Sequence, residues 1–437
     1  MDANKAYILA SMAEASYADL SAAKDPDGAY DVRAVEEALN ERGYTYHRSS
    51  ELVDMWQIAH HQPNTPSGFS ATVFQSKTEP DAFVIAFRGT DTPYTPSGVV
   101  DLSTDFGDIG ADGIALSQGI DLVNYYQRLV TPVGEPAPQF GLLDGLVVNL
   151  AHENGQAAGL GILSGGVSSL DVTGHSLGGH LALIFSRLDP AVIRDVYTFN
   201  APGFGTGLLP GFDQIEWFYR AVEQVQRAAT GHSEVGGFPL DRIHNFATPE
   251  DLVARVGVRP GGNSPVIGEI NNATLFQKLL SAHSIGNTAD SLAVAALYTR
   301  IDPYVTPDTL AEIFQASSVD SQRTLESALA HLGKLFGQEY STVGLDRTEL
   351  HRRVSDLTTA LPEGGTFVIE GLSSQSAEMI TARAQIDVAY RYALANLSPF
   401  AVTGDSAIYQ RHAGLDLYDP ITRQGELTQT WLADRAQ

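Results

Sequence analysis

The 437-residue chain contains no cysteine, which removes disulfides, thiolate nucleophiles and cysteine-ligated zinc from consideration. Basic residues are scarce as well, with 27 Lys and Arg against 52 Asp and Glu and a formal charge of -25. That balance argues against nucleic-acid binding and against docking on an anionic membrane through a basic patch. It fits a solubilising surface suited to salty surroundings, on which an acidic rim would also repel carboxylates. The opening Met1-Asp2-Ala3-Asn4-Lys5-Ala6-Tyr7 lacks a basic segment followed by an apolar core, and no run approaches the length of a transmembrane segment. Export, which the missing cysteines would suit, would then use a route without a cleaved N-terminal signal, or the chain is cut from something longer; a cytoplasmic location is the alternative. No internal repeat is visible.

Against these absences one stretch stands out, Val172-Thr173-Gly174-His175-Ser176-Leu177-Gly178-Gly179-His180. A serine held on a sharp strand-to-helix turn leaves no room for side chains two positions away on either side, and Gly174 and Gly178 meet that need. The context agrees: Ser169–Thr173 alternates like a short strand, and Leu181–Phe185 continues as an apolar helix face. Ser176 is therefore a candidate nucleophile.

Strands at Phe69–Phe74, Phe83–Phe87, Val196–Asn200 and Ile243–Ala247 alternate with helical stretches such as Ile120–Leu129. This predicts an α/β fold with a mostly parallel sheet, whose ligands sit beyond the carboxyl ends of the strands. Asp195 and Asp241 enter strands at the wrong end and Asp189 closes the helix after the serine, so Asp251, just past a strand's carboxyl end, is the best orienting acid. A Ser, Asp, His order then needs a later histidine. His283 can sit on a loop between two helical runs, while His331, His351 and His412 fall in polar helices or a late turn. His244 reads as a satisfied core residue. Arg88-Gly89-Thr90 ends a strand in a tight turn that can aim backbone N–H groups and a hydroxyl at one point.

The flanking segments are less specific. Residues 6–20 read as an amphipathic opening helix and Asp31–Glu41 as a helix ending at Gly43. Asp25-Pro26-Asp27-Gly28 is a turn without the remaining ligands of a calcium loop. Residues 91–113 form a long loop suited to a pocket wall or lid, where Asp101, Asp105, Asp108 and Asp112 could hold structural calcium, although solvated acids are commoner. Residues 131–168 are an insertion, and 211–229 are either a flap over an apolar pocket or a packing helix. Beyond Arg300, Thr306–Phe336, Arg347–Leu361 and Ser376–Leu397 read as amphipathic helices around a strand at Thr366–Ile369. This part shows no nucleophile, metal cluster or phosphate loop, and reads as structural. The organisation expected is a catalytic domain over residues 1–300 and a mainly helical C-terminal extension over 301–437.

Phe87-Arg88-Gly89-Thr90, Gly174-His175-Ser176-Leu177-Gly178-Gly179, Asn200-Ala201-Pro202 and the Asp251 and His283 pair together resemble the lipase class 3 family of α/β-hydrolases over roughly residues 6–300. The resemblance implies Ser176 as nucleophile, His283 as general base then acid, Asp251 as the carboxylate that fixes the imidazole tautomer, and Thr90 with the N–H of Leu177 as oxyanion hole. It also implies a lipid or other carboxylic ester as substrate, transient contact with a lipid interface, and no required cofactor. Glycerol esters and phospholipid acyl esters both remain open, the latter with a toxin module as one use, and a catalytically inactive hydrolase fold serving binding or adhesion is the reading from a different class. Residues 374–437 are similar to segments beside calcium-binding repeats in large secreted bacterial proteins.

Overall fold

The structure, a computed structural model, describes residues 2–25, 27–90, 114–143, 146–149, 157–167, 169–205, 214–266, 268–269, 274–317, 324–340, 346–361 and 367–437. The loop at 91–113, with its four aspartates, lies outside the described residues, as do parts of the segments 131–168 and 203–240. Contacts divide the chain into two compact units: Ile8–Pro265 with Ala282–Gly286, and Met1–Tyr7 with Val266–Ser281 and Asn287–Gln437. The sequence-based boundary at 300 falls at the end of the helix Ile285–Ile301.

The first unit is built on a seven-stranded sheet. Its strands are β1 (Trp56–Gln62), β2 (Ala71–Ser76), β3 (Ala82–Phe87), β6 (Ser169–His175), β7 (Ile193–Phe199), β8 (Ile243–Ala247) and β9 (Gly262–Pro265), hydrogen-bonded in that order. The pairs β1/β2 and β2/β3 are antiparallel, and every pair from β3 to β9 is parallel. A separate hairpin, β4 (Phe140–Leu143) with β5 (Leu146–Asn149), lies in the insertion. All six residues of β3 and all seven of β6 are buried, as central parallel strands covered on both faces require. Helices Leu116–Val130, Leu177–Leu188 and Gln214–Thr230 make the crossovers. Their apolar faces join Phe69, Phe87, Leu181, Phe185 and Val196 in one core.

Two sequence expectations change here. The helix Ala3–Ala15 is enclosed rather than amphipathic: among its residues in this unit, Leu9, Ala10, Met12, Ala13 and Ala15 are all buried. Small side chains at Ala10, Ala13 and Ala15 allow neighbours to close in on several faces. The segment 211–229 is a packing helix over its described residues, since Phe218, Tyr219 and Val222 enter the core and the Tyr219 hydroxyl donates to the carbonyl of Ile184 at 2.9 Å. The helix Tyr46–Met55 and β1 went unpredicted, because Gln57, His60, His61 and Gln62 give β1 a polar composition.

The second unit is mainly helical. Tyr298, Phe314, Leu329, Tyr390 and Phe400 are among the buried residues of its own core. The stretch 306–336 holds two helices, Pro307–Ser317 and Thr324–Leu335, and Thr306 caps the first by accepting from the N–H of Thr309 at 3.1 Å. The stretch 376–397 is also two helices, because Asp387 ends Ala377–Ile386 and caps Val388–Asn396 through the N–H of Ala389. The predicted short strand is β10 (Val368–Gly371), which pairs antiparallel with β11 (Phe400–Thr403), a strand the sequence reading did not anticipate. A mostly parallel sheet with crossover helices and a sharp strand–helix turn at its centre defines the first unit as an α/β-hydrolase fold.

Candidate active site

The site begins with a strained residue. Ser176, between β6 and the helix Leu177–Leu188, has φ 57° and ψ -130°, a backbone state that costs a non-glycine residue about 1–3 kcal/mol. The turn is held by the Ser176 N–H, which donates to the carbonyl of Phe199 at 2.9 Å. It also demands its glycines. A Cβ on Gly174 would run into the carbonyl of Gly178, and one on Gly178 would run into the carbonyl of Phe87. Gly89, on the exit from β3, is a third such position, since a Cβ there would lie 2.6 Å from the carbonyl oxygen of His175 and 3.3 Å from the Ser176 Cβ.

Ser176 Oγ lies 2.9 Å from Nε2 of His283, whose Nδ1 lies 3.1 and 3.0 Å from the two carboxylate oxygens of Asp251. A carboxylate only accepts, so Nδ1 carries the hydrogen and Nε2 is left to accept from the serine hydroxyl. Ser176 and Asp251 are both 2 % exposed, which shields these bonds from competing water. Asp251 sits in the turn after β8: its N–H donates to the carbonyl of Thr248 at 3.0 Å, and its Oδ1 also accepts from the N–H of Val253 at 3.0 Å. His283 is the last residue of the helix Leu275–His283, one residue before the helix Ile285–Ile301 begins. The sequence allows it a loop between two helical runs, and that loop is reduced to Ser284.

Three residues without a role in the sequence reading surround the histidine. His175 lies 2.6 Å through Nε2 from the backbone carbonyl of His283 and 2.8 Å through Nδ1 from the Tyr17 hydroxyl. The carbonyl can only accept, so His175 donates through Nε2 and accepts at Nδ1 from Tyr17. Burial holds its pKa well below the ordinary histidine value, and proximity to the His283 ring, 4.7 Å between centroids, acts in the same direction. Asn200, at φ 47° just past β7, donates through Nδ2 to the carbonyl of Ala282 at 3.1 Å and accepts at Oδ1 from the N–H of Thr248 at 2.9 Å. Only the motif Asn200-Ala201-Pro202 hinted at such a residue, since asparagine tolerates this left-handed backbone better than most side chains.

Thr90 follows Gly89 directly. Its Oγ1 is buried with no hydrogen-bond partner among the described residues, an arrangement that costs stability unless something else comes to accept or donate. Leu177 opens the helix after the serine, so its N–H has no intrahelical acceptor and lies at the positive end of the helix dipole. Leu177 is buried against Ala115 and Val253, which gives the surroundings of the serine an apolar wall.

The other candidates lie elsewhere. His244 is not a core residue: its side chain is partly exposed and lies 3.2 Å from Asp195. His331, His351 and His412 belong to the second unit. The only polar partner described for His412 Nε2 is the carbonyl of Leu335, 3.0 Å away. Among the described residues, no group of three or more His, Asp or Glu side chains could hold a metal ion, and no helix is long and apolar enough to cross a membrane. A cavity of about 420 Å³, lined by residues that include Tyr126, Phe140, Asp189 and Val192, lies at the far end of the helix Leu177–Leu188 and includes none of the residues around Ser176.

No family model matches the chain, and no curated protein does. Solved structures of lipases are similar to it. The Lip2 lipase of Yarrowia lipolytica is 15% identical over 65% of this chain and 91% of its own, with a TM-score of 0.33. A Rhizomucor miehei lipase in its propeptide complex is 14% identical over 65% and 78% with a TM-score of 0.27, and lipase II of Rhizopus niveus is 15% identical over 65% and 92% with a TM-score of 0.28. These values are too low for the likeness to bear on what the chain does. The similarity of residues 374–437 to segments of secreted repeat-containing proteins finds no support in these comparisons.

Proposed function

We propose that the chain is a serine carboxylic-ester hydrolase acting on lipid acyl esters, with triacylglycerols as the favoured class. The observation that carries this reading is the hydrogen-bonded line from Ser176 Oγ through the His283 ring to both oxygens of Asp251. In the first half-reaction Ser176 Oγ attacks the acyl carbonyl while His283 Nε2 takes its proton, and Asp251 stabilises the imidazolium. The oxyanion that develops is met by the N–H of Leu177 and the hydroxyl of Thr90, which has no hydrogen-bond partner among the described residues. His283 then protonates the departing alkoxide, leaving an acyl-serine. Water attacks this ester with the same base, and collapse of the second tetrahedral intermediate releases the fatty acid.

A lipid substrate is supported by the apolar surroundings. Leu177 and Val253 flank the nucleophile and acid, and Leu252, beside Asp251, exposes 52% of its surface. A side chain of that size left in water next to a catalytic acid suits contact with an acyl chain or a lipid interface. The test measures fatty-acid release from triglyceride emulsions, phosphatidylcholine vesicles and soluble short-chain esters side by side, with Ser176→Ala as control. Faster release from the emulsion than from the other two is the expected result. Preference for vesicles would replace the triglyceride with a phospholipid, preference for soluble esters would remove the lipid, and no release from any of them would leave a binding module.

A further inference from the structure

The bonds around His283 do more than fill polar valences. The imidazole reaches Ser176 only if the backbone that carries it is held in place, and that backbone lies at the junction of the helices Leu275–His283 and Ile285–Ile301. Helix ends leave carbonyls without intrahelical partners, and two of them flank the histidine. The carbonyl of Ala282 is taken by Asn200 Nδ2 at 3.1 Å, and the carbonyl of His283 by His175 Nε2 at 2.6 Å. Both donors come from the carboxyl ends of adjacent parallel strands: His175 ends β6 and is in register with Phe199 of β7, the residue before Asn200. Both side chains are buried.

We infer that His175 and Asn200 form a clamp that positions His283 by its backbone, and that Asn200 also sets the distance between acid and base. The second part follows from the asparagine's two ends. Its Oδ1 holds the N–H of Thr248, whose own carbonyl accepts from the N–H of Asp251. One buried amide thus fastens the turn of the acid and the junction of the base to the same strand end. The Asn200 N–H is itself fixed on the carbonyl of Phe246 at 2.8 Å, so the amide has little freedom to follow a drifting loop. His175 carries out its part as a neutral ring with its hydrogen on Nε2, a tautomer that the acceptor-only carbonyl of His283 selects and that leaves Nδ1 to accept from the Tyr17 hydroxyl. Burial keeps the ring neutral. It therefore adds no second positive charge when His283 becomes an imidazolium. These are positioning residues, which act on the serine through the backbone of His283.

This inference rests on the hydrolase reading, and its test separates the two. Wild type, His175→Leu, His175→Gln and Asn200→Gly are compared for kcat, KM and the rate of Ser176 labelling by a fluorophosphonate, with thermal midpoints recorded. Glutamine can donate from near the position of the imidazole Nε2, and glycine accepts the left-handed backbone of residue 200 without strain. Misplacing a catalytic group by about 1 Å costs on the order of 100-fold. His175→Leu and Asn200→Gly are therefore expected to lose roughly 10–100-fold in kcat and in labelling rate, with KM unchanged. His175→Gln is expected to recover most of the loss. If leucine and glutamine at 175 give equal kcat, or if both parameters fall only in step with the thermal midpoint, the clamp is overturned while the hydrolase stands. If the folded wild type neither labels nor hydrolyses, the hydrolase reading itself falls.

Discussion

Each unit of this chain buries an aspartate against a histidine, and the two pairs are finished in opposite ways. In the helical unit Asp290 accepts from the Arg347 guanidinium at 2.7 and 2.8 Å and lies 2.7 Å from His351 Nε2. The other His351 nitrogen is 3.5 Å from the Tyr7 hydroxyl, and the two rings stack. Burial would raise the Asp290 pKa, but Arg347 and His351 hold it well below the usual carboxylate range. In the sheet unit Asp251 has no such arginine bond; its described hydrogen bonds go to His283 and one backbone N–H, and the second nitrogen of His283 meets a serine hydroxyl on a strained turn. The same two residue types form a structural tie where a third charge saturates the acid and, in the function proposed above, a proton relay where a serine hydroxyl completes the line. The positive-φ residues Ser176 and Asn200 lie beside the second pair, a backbone strain of the kind found at functional sites.

The sharpest way to break this comparison is to make the same substitution in both pairs. Asp251→Asn is expected to lower kcat about 10⁴-fold with little change in stability, because the amide favours the wrong imidazole tautomer. Asp290→Asn is expected to leave kcat per folded molecule unchanged and to cost about 3–5 kcal/mol of stability, since Arg347 loses its compensating charge. Kinetics and urea titrations of both variants check it, and a kcat loss in Asp290→Asn would erase the distinction. Next in size is Thr90→Val, which is expected to lose roughly two to three orders of magnitude in kcat. Its stability should hold or improve, because a buried hydroxyl with no partner among the described residues is removed. A near-normal rate would take Thr90 out of the oxyanion hole.

The smallest effect concerns the helical unit alone. Burial and the neighbouring Glu326 push Glu269 from an ordinary value of 4.5 up to about 9. The native state therefore keeps a proton on Glu269 over a range where the unfolded chain has released it. Its contribution to stability is complete below about pH 4.5, shrinks as pH rises, and is gone above about pH 9. Glu269→Gln should flatten that decline in the thermal midpoint of the helical unit. An unchanged slope would show that the proton is not held there.

What the sequence made legible follows from which requirements are written in side chains. Ser176 could be read because its turn excludes a Cβ at positions 174 and 178, so the steric demand is visible as glycine. Asp251 and His283 could be read because strand ends and chain order leave few candidates. Tyr17, His175 and Asn200 could not, since two of the bonds they make go to backbone carbonyls, which any residue supplies, and the partners of their side chains lie 48 to 158 positions away. The fold failed to show at similar places. β1 carries too many polar residues to read as a strand, and Asp387, which divides one predicted helix into two, looks like any exposed helical acid until its side chain is seen capping Ala389. The polar residues of the Asp290 pair were equally silent, because a saturated tie and the proposed relay use the same residue types.

The relay itself is most directly tested by a fluorophosphonate probe followed by mass spectrometry on the wild type and on His283→Ala. The predicted result is one equivalent of probe on Ser176 in the wild type and labelling slowed by at least about three orders of magnitude when the base is gone. A folded wild type in which Ser176 stays unmodified, or labels equally fast without His283, would contradict the account.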